Sequence, residues 1–176
     1  MKKIIIFLIT LILLNPIQSK AKTTKFYEAE YIDNIWQTKI TPDKSTKYYQ
    51  TARFFREEIS NTPAYCIEPF IMFEANNTYE STLSPNNLTN EQLVRIKQLA
   101  YLGYNSKNRT NNEWYAVTQL LIWQTAVPTG EYYFTDGLTG PKINKFQNLQ
   151  KNINFYMVLI LKTKKFYYIK LIKLII

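Results

Sequence analysis

The sequence predicts an α+β fold: a β-rich subdomain carrying the lone cysteine, Cys66, packed with a helical subdomain carrying Gln119. Two observations carry that prediction. From Lys25 to about Glu74 the apolar residues fall in short β-prone runs, whereas after Ser84-Pro85-Asn86-Asn87 they recur at helical spacing. A third observation sets the scale. A chain of 176 residues, 46% apolar and 15% aromatic with only 4 glycines, can bury a core of its own and has the composition of a globular domain.

The elements follow in order. Residues 1–21 have the three parts of a secretory signal: Lys2 and Lys3, the apolar stretch Ile4 to Leu14, and a break at Asn15-Pro16 before Ser19-Lys20-Ala21. Cleavage is expected after Ala21. The apolar stretch is shorter than the roughly 18 to 20 residues a spanning helix needs, so no stable membrane span is expected after cleavage, and the product is secreted or at the cell surface.

In the β-rich part, Lys25 to Tyr31 partly alternates, Ile35 to Ile40 is β-prone, and Pro42-Asp43 marks a turn. Ala64 to Phe73 reads as one or two buried strands with a bend or edge at Pro69. Beyond Asn87, Thr89 and Gln92 form a capping box, and Leu93, Ile96, Leu99 and Ala100 continue a helix of about thirteen residues that Gly103 ends. A second helix opens at Asn112 and Glu113, runs through Gln124 and stops at Pro128. It is apolar nearly all round, which places it in the interior. Gly130 to Pro141 reads as turn-rich connections, and Lys142 to Gln150 as a third helix. The last 24 residues, 153–176, use nine residue types. Their composition is that of AT-rich DNA read out of frame, and they are expected to pack poorly. The domain itself is expected to occupy residues 22–152.

Charge excludes one function class. The formal charge of +9 sits at the two ends of the chain: residues 22–136 carry 11 basic and 13 acidic groups, a net of −2. A near-neutral folded part offers no clustered basic face for phosphates, so no nucleic acid partner is expected. The absence of histidine and the single cysteine exclude a Cys/His metal site, so no metal is expected; they also exclude an internal disulfide and a histidine-activated nucleophile.

Two residues stand out against this background. An unpaired thiol on an exported chain is exposed to oxidants; it is either buried as a small hydrophobe or put to chemical use. Gln119, on the buried helix, costs about 1–3 kcal/mol unless its amide is bonded to neighbouring backbone or otherwise used. Tyr115 and Trp123 stand four residues to either side, on the same helix face.

The flanking residues Tyr65-Cys66-Ile67-Glu68-Pro69, followed by Thr118-Gln119-Leu120-Leu121-Ile122-Trp123, resemble the thioester domains of Gram-positive bacterial surface adhesins. Ala100 to Tyr104 and Glu113 to Ala116 fit the same resemblance, which covers about residues 24 to 152. It implies an internal Cys66–Gln119 thioester, with Tyr65, Glu68, Thr118 and Trp123 as supporting motif positions and no cofactor. It further implies single-turnover covalent capture of a host surface or matrix protein through a lysine amine, as an adhesin module and not an enzyme. The family pattern continues past Gln150 with further strands, where this chain enters its unusual tail; the domain is therefore expected to be incomplete at its C-terminal end. A non-covalent secreted binding domain with a structural cysteine is the alternative, and a secreted hydrolase, lacking histidine and a placed carboxylate pair, ranks third.

Overall fold

The structure, a computed structural model, describes residues 23–74, 77–80, 88–104, 106, 108–144, 146–163 and 174–175. The expected signal segment lies outside them, as does most of the chain beyond Thr163. Strands β1 (Thr23–Ile40), β2 (Lys47–Glu57), β3 (Pro63–Cys66) and β4 (Thr78–Glu80) precede helices α1 (Asn90–Leu102) and α2 (Asn112–Ala126). Strands β5 (Glu131–Thr135) and β6 (Lys142–Ile143), helix α3 (Gln147–Thr163) and strand β7 (Leu174–Ile175) follow. Among the described residues the seven strands form one sheet in the order β6-β5-β1-β2-β3-β7, with β4 also paired to β1. The ladders are antiparallel except β3 with β7, which is parallel. The α+β architecture is the one the sequence predicts.

At 18 residues, β1 is far longer than the usual strand of about 5–6 residues, and it does not run straight. Its register with β2 shifts between Glu28 and Glu30 and again between Tyr31 and Trp36, and Asn34 in that interval takes φ 61°. Such irregularities bend a strand and increase its twist. The N-terminal part of β1 therefore pairs with β4, and its last five residues, Trp36 to Ile40, pair with β5. The Pro42-Asp43 turn forms as expected: Asp43 accepts bonds from Thr41 Oγ1 at 2.6 Å and Ser45 N at 3.1 Å.

Successive side chains in β2 alternate faces, so Phe54 and Phe55 enter different apolar clusters. Phe54 joins the main core under the helices; Phe55 packs with Phe26, Ala64 and Phe73. The buried Glu57 ends β2, accepting a bond from the Ser60 amide at 2.8 Å and bonds from the hydroxyls of Thr24 and Ser60. These bonds set the turn into β3.

The Thr89 capping box closes as predicted, with Gln92 N donating to Thr89 Oγ1 at 3.2 Å and Thr89 N to Gln92 Oε1 at 2.9 Å. Asn111 caps α2 by accepting from Trp114 N. Helix α2 is the axis of the core: residues 115–123 are all buried. Gly103, just past α1, lies so close to α2 that a Cβ there would meet Thr118 Oγ1 at 1.9 Å. Thr118 is held in place by its own bond to the Trp114 carbonyl, 2.6 Å. Arg109 joins α1 to α3, donating to the Leu102 carbonyl and, at 2.6 Å, to Asn152 Oδ1.

Two local expectations are corrected. The stretch read as turns contains β5, which pairs with β1 over five residues; its alternation is masked by the aromatic run Tyr132-Tyr133-Phe134. Lys142 and Ile143 extend the sheet opposite Thr135 and Phe134, and the third helix starts only at Gln147, because tertiary pairing overrides local helical preference. Between Ala64 and Phe73, Ala64 to Cys66 are strand and a bend follows at Glu68-Pro69, which agrees with the expected strand and its bend at Pro69. At the C-terminal side, α3 runs unbroken through residue 152, the expected domain end, and Ile153 and Met157 are buried in the main core.

Gly103→Ala is expected to push α1 from α2 and destabilise the domain by about 1–3 kcal/mol, the usual cost of overpacking. Thr118→Ala, which removes the two nearest clashing atoms, should restore part of the loss. Urea unfolding of the two single variants and the double variant measures the coupling.

Candidate functional site: the Cys66–Gln119 contact

Cys66 is the last residue of β3, and Gln119 is at the middle of α2, 53 residues later. The two are in direct contact. The Cys66 backbone N–H donates to Gln119 Oε1 at 3.0 Å, and Gln119 Nε2 donates to the Cys66 carbonyl at 2.7 Å. This orientation of the carboxamide gives a partner to each of its ends. With Gln119 only 2% exposed, these bonds meet the demand its burial creates.

The helix and strand match in spacing. Four residues of α-helix rise about 6 Å and two residues of strand about 6.6 Å. Tyr115, four residues before Gln119, accordingly bonds the strand two residues before Cys66: its hydroxyl donates to the Ala64 carbonyl at 2.5 Å and accepts from Phe55 N at 3.2 Å. Trp123, four residues after Gln119, reaches the sulfur end of Cys66.

The sulfur has a mixed environment. Cys66 Sγ donates to the Glu68 carbonyl at 3.3 Å, within the bend that follows β3. The Trp123 indole N–H is buried without a conventional hydrogen-bond partner among the described residues, and it lies where it favours the thiolate. Burial pushes the Cys66 thiol above its ordinary value; the Glu68 backbone, the charge of Lys39 and the Trp123 indole pull the other way.

Lys39 is the residue the sequence analysis did not single out. Its Nζ donates to the Pro69 carbonyl, one residue beyond the carbonyl that holds the sulfur, and stands 5.0 Å from the centre of the Trp123 ring. Only 8% of Lys39 is exposed. Burial pulls its ammonium down to about 8, assisted by the charge of Arg53 and opposed by Cys66. Strand alternation was the available signal, since Lys39 shares a face with the buried Ile35 and Gln37.

The supporting motif positions divide by role. Tyr65 alternates away from Cys66 into an aromatic cluster, stacked on Tyr115 with ring centres 5.0 Å apart. Its phenol is pushed well up by burial and stays protonated. Thr118 packs against Gly103 and bonds its own helix, while Glu68 serves Cys66 through its backbone. Trp123 is the one of these whose side chain favours the thiolate of Cys66. A separate cleft of about 580 Å³, lined by Glu30, Asp33 and Glu113 among others, includes neither Cys66 nor Gln119.

A strand-end cysteine whose backbone clasps a buried helical glutamine defines a domain built around a Cys–Gln contact. A family model for the thioester domain matches residues 63–165, more than half of the 176-residue chain, and the chain belongs to that family. The match takes in β3, helices α1, α2 and α3, and both members of the contact. No curated protein and no solved structure matches the chain.

The lowered value of Lys39 has a stability consequence. The folded lysine loses its proton near pH 8, the unfolded one near 10.5, so between these values the unfolded state binds more protons and stability rises with pH. In a Cys66→Ala background, where no thiolate competes, the thermal midpoint of the lysine-containing protein should rise relative to its Lys39→Met counterpart from pH 8 to 10. A constant difference would show that Lys39 titrates normally.

Proposed function

We propose that Cys66 and Gln119 form an internal thioester and that the domain uses it to capture a protein amine covalently. The observation that carries this is the two-point clasp of the Gln119 carboxamide on the Cys66 backbone. Thioester formation requires the sulfur to add to the Gln119 side-chain carbonyl, putting negative charge on Oε1. The Cys66 N–H already faces that oxygen, so a donor is in place where charge develops. The amide nitrogen then leaves as ammonia. Holding both groups on packed elements supplies the proximity an amide needs as an acyl donor, an effect worth up to roughly 7–11 kcal/mol in well-oriented systems.

The product is an electrophile. A primary amine attacks the carbonyl carbon, the C–S bond breaks, and Cys66 is released as a thiol while the amine is retained as an amide. The bond is consumed in the act, so the domain is a single-turnover capture device and not an enzyme. The leader supports export, and the family resemblance supports action as a surface adhesin module whose target is a lysine of a host surface or matrix protein. Among the described residues no helix is long and apolar enough to cross a membrane.

The folded protein should weigh one ammonia less than its sequence. Methylamine should add its full mass and make Cys66 reactive to alkylating agents. Cys66→Ala and Gln119→Glu should each abolish both effects, the first by removing the nucleophile and the second because a carboxylate is a poorer acyl donor. Intact-mass spectrometry with a parallel thermal melt decides it: full sequence mass in a folded sample would leave the clasp as a structural contact only.

A further inference from the structure

Chemistry at Cys66 needs the thiol to lose its proton, because the thiolate is the nucleophile. Burial opposes that loss, and the chain has no histidine to assist. The groups around the sulfur come from four elements. Lys39 reaches in from β1, Arg53 acts from β2 on Lys39, Glu68 stands in the bend after β3, and Tyr115 and Trp123 lie on α2. Tyr115 is pushed above its ordinary value by burial and engages Ala64 and Phe55 through its hydroxyl, so it cannot serve as a base near neutral pH. Arg53 offers donors and no acceptor, and the negative charge of Glu68 works against the thiolate.

Lys39 is placed differently. The Glu68-Pro69 bend offers two successive carbonyls: the first holds Cys66 Sγ and the second holds Lys39 Nζ. Trp123 completes the arrangement, with its ring 5.0 Å from the ammonium and its indole favouring the thiolate.

We propose that Lys39 is the proton acceptor for Cys66, forming a lysine–thiolate pair that takes the place of the missing imidazole. The inference rests on the thioester reading for its purpose but not for its test. The neutral amine of Lys39 takes the thiol proton, the thiolate adds to the Gln119 carbonyl carbon, and the Cys66 N–H holds the resulting oxyanion. As the C–S bond is completed the C–N bond breaks. The ammonium of Lys39 returns its proton to the departing nitrogen, which leaves as ammonia, and the lysine is neutral again. Burial makes the step accessible: with a value lowered to about 8, a minor but useful fraction of the lysine is neutral at physiological pH. When an incoming amine later adds to the carbonyl, the neutral Lys39 takes the proton that amine sheds, and the resulting ammonium stabilises the leaving thiolate.

The test uses the protein with its thiol free: opened with methylamine if the isolated protein lacks one ammonia, as isolated if it has full mass. The rate of alkylation of Cys66 is followed from pH 6 to 10. Lys39→Met should shift the profile to higher pH and slow alkylation near pH 7.5 by about tenfold, the equivalent of one pKa unit. Lys39→Arg, which keeps a cation but cannot accept the proton, should alkylate faster than Lys39→Met yet collapse the two-step profile to a single step. In the unsubstituted protein the coupled pair should titrate in two steps, a readout that needs no variant. A single step at or above the ordinary thiol value, or a Lys39→Met profile superimposable on the unsubstituted one in a folded sample, would overturn the proposal. Either result is independent of the mass measurement, so failure of the thioester reading and failure of the lysine assignment are distinguished.

Discussion

A carboxamide at the middle of a helix buried on nearly every side must find its hydrogen bonds inside the protein or cost the fold about 1–3 kcal/mol. In this domain the partners of Gln119 are the N–H and the carbonyl of one residue, Cys66, and that requirement fixes how α2 lies on the sheet. The match between four residues of helix and two of strand lets Tyr115 and Gln119 read Ala64 and Cys66 in step. Slipping β3 by one residue would break both attachments and turn Tyr65 out of its aromatic stack. The contact that carries the proposed chemistry is thus also the contact that sets the register of helix against sheet.

The same contact explains why the surrounding packing is so tight. Gly103 allows α1 to close on Thr118, the residue beside Gln119, and the Thr118 hydroxyl is turned back onto the helix. Ile153 and Met157 join the main core against the other helices. The carbonyl proposed to be attacked by an amine must be kept from water, and a helix packed against both sheet and neighbouring helices contributes that shielding. The electrostatics follow from it. Burial raises the thiol and lowers the lysine, so each is driven toward its neutral form, and only their mutual attraction favours the charged pair.

Much of this was legible in the residues. The Thr89 capping box, the Asn112 helix start, the apolar girth of α2 and the Pro42-Asp43 turn are local signals, and each was realised locally. Cys66 and Gln119 were legible because each was a chemical misfit: a lone thiol in a chain expected to be exported, and an amide on an apolar helix. What escaped depended on partners distant in sequence. Three adjacent aromatics gave β5 no readable alternation until β1 lay beside it. The residues Lys142 and Ile143 are strand only because Thr135 and Phe134 face them. Lys39 was passed over within a β-prone run, and the contacts that set it apart, with the Pro69 carbonyl and the ring of Trp123, come from residues distant in sequence.

The chain's last residues bear on the site as well. Strand β3 has β2 on one side, and on the other it would expose unpaired backbone at Tyr65 and Cys66, next to the reactive sulfur. Leu174 and Ile175 occupy that edge, pairing in parallel with those two residues. An open edge is a template for unwanted pairing and an entry for water; here it would adjoin the carbonyl that Cys66 is proposed to activate. Composition marked residues 153–176 as foreign to the domain, yet the helix beginning at Gln147 carries core side chains through that boundary and β7 lies along the cysteine strand. Apolar residues of almost any order can supply such cover, because packing a helix face and hydrogen-bonding a strand edge demand hydrophobicity and backbone far more than a particular side-chain code. The low complexity of the tail and its place beside Cys66 are therefore compatible on physical grounds.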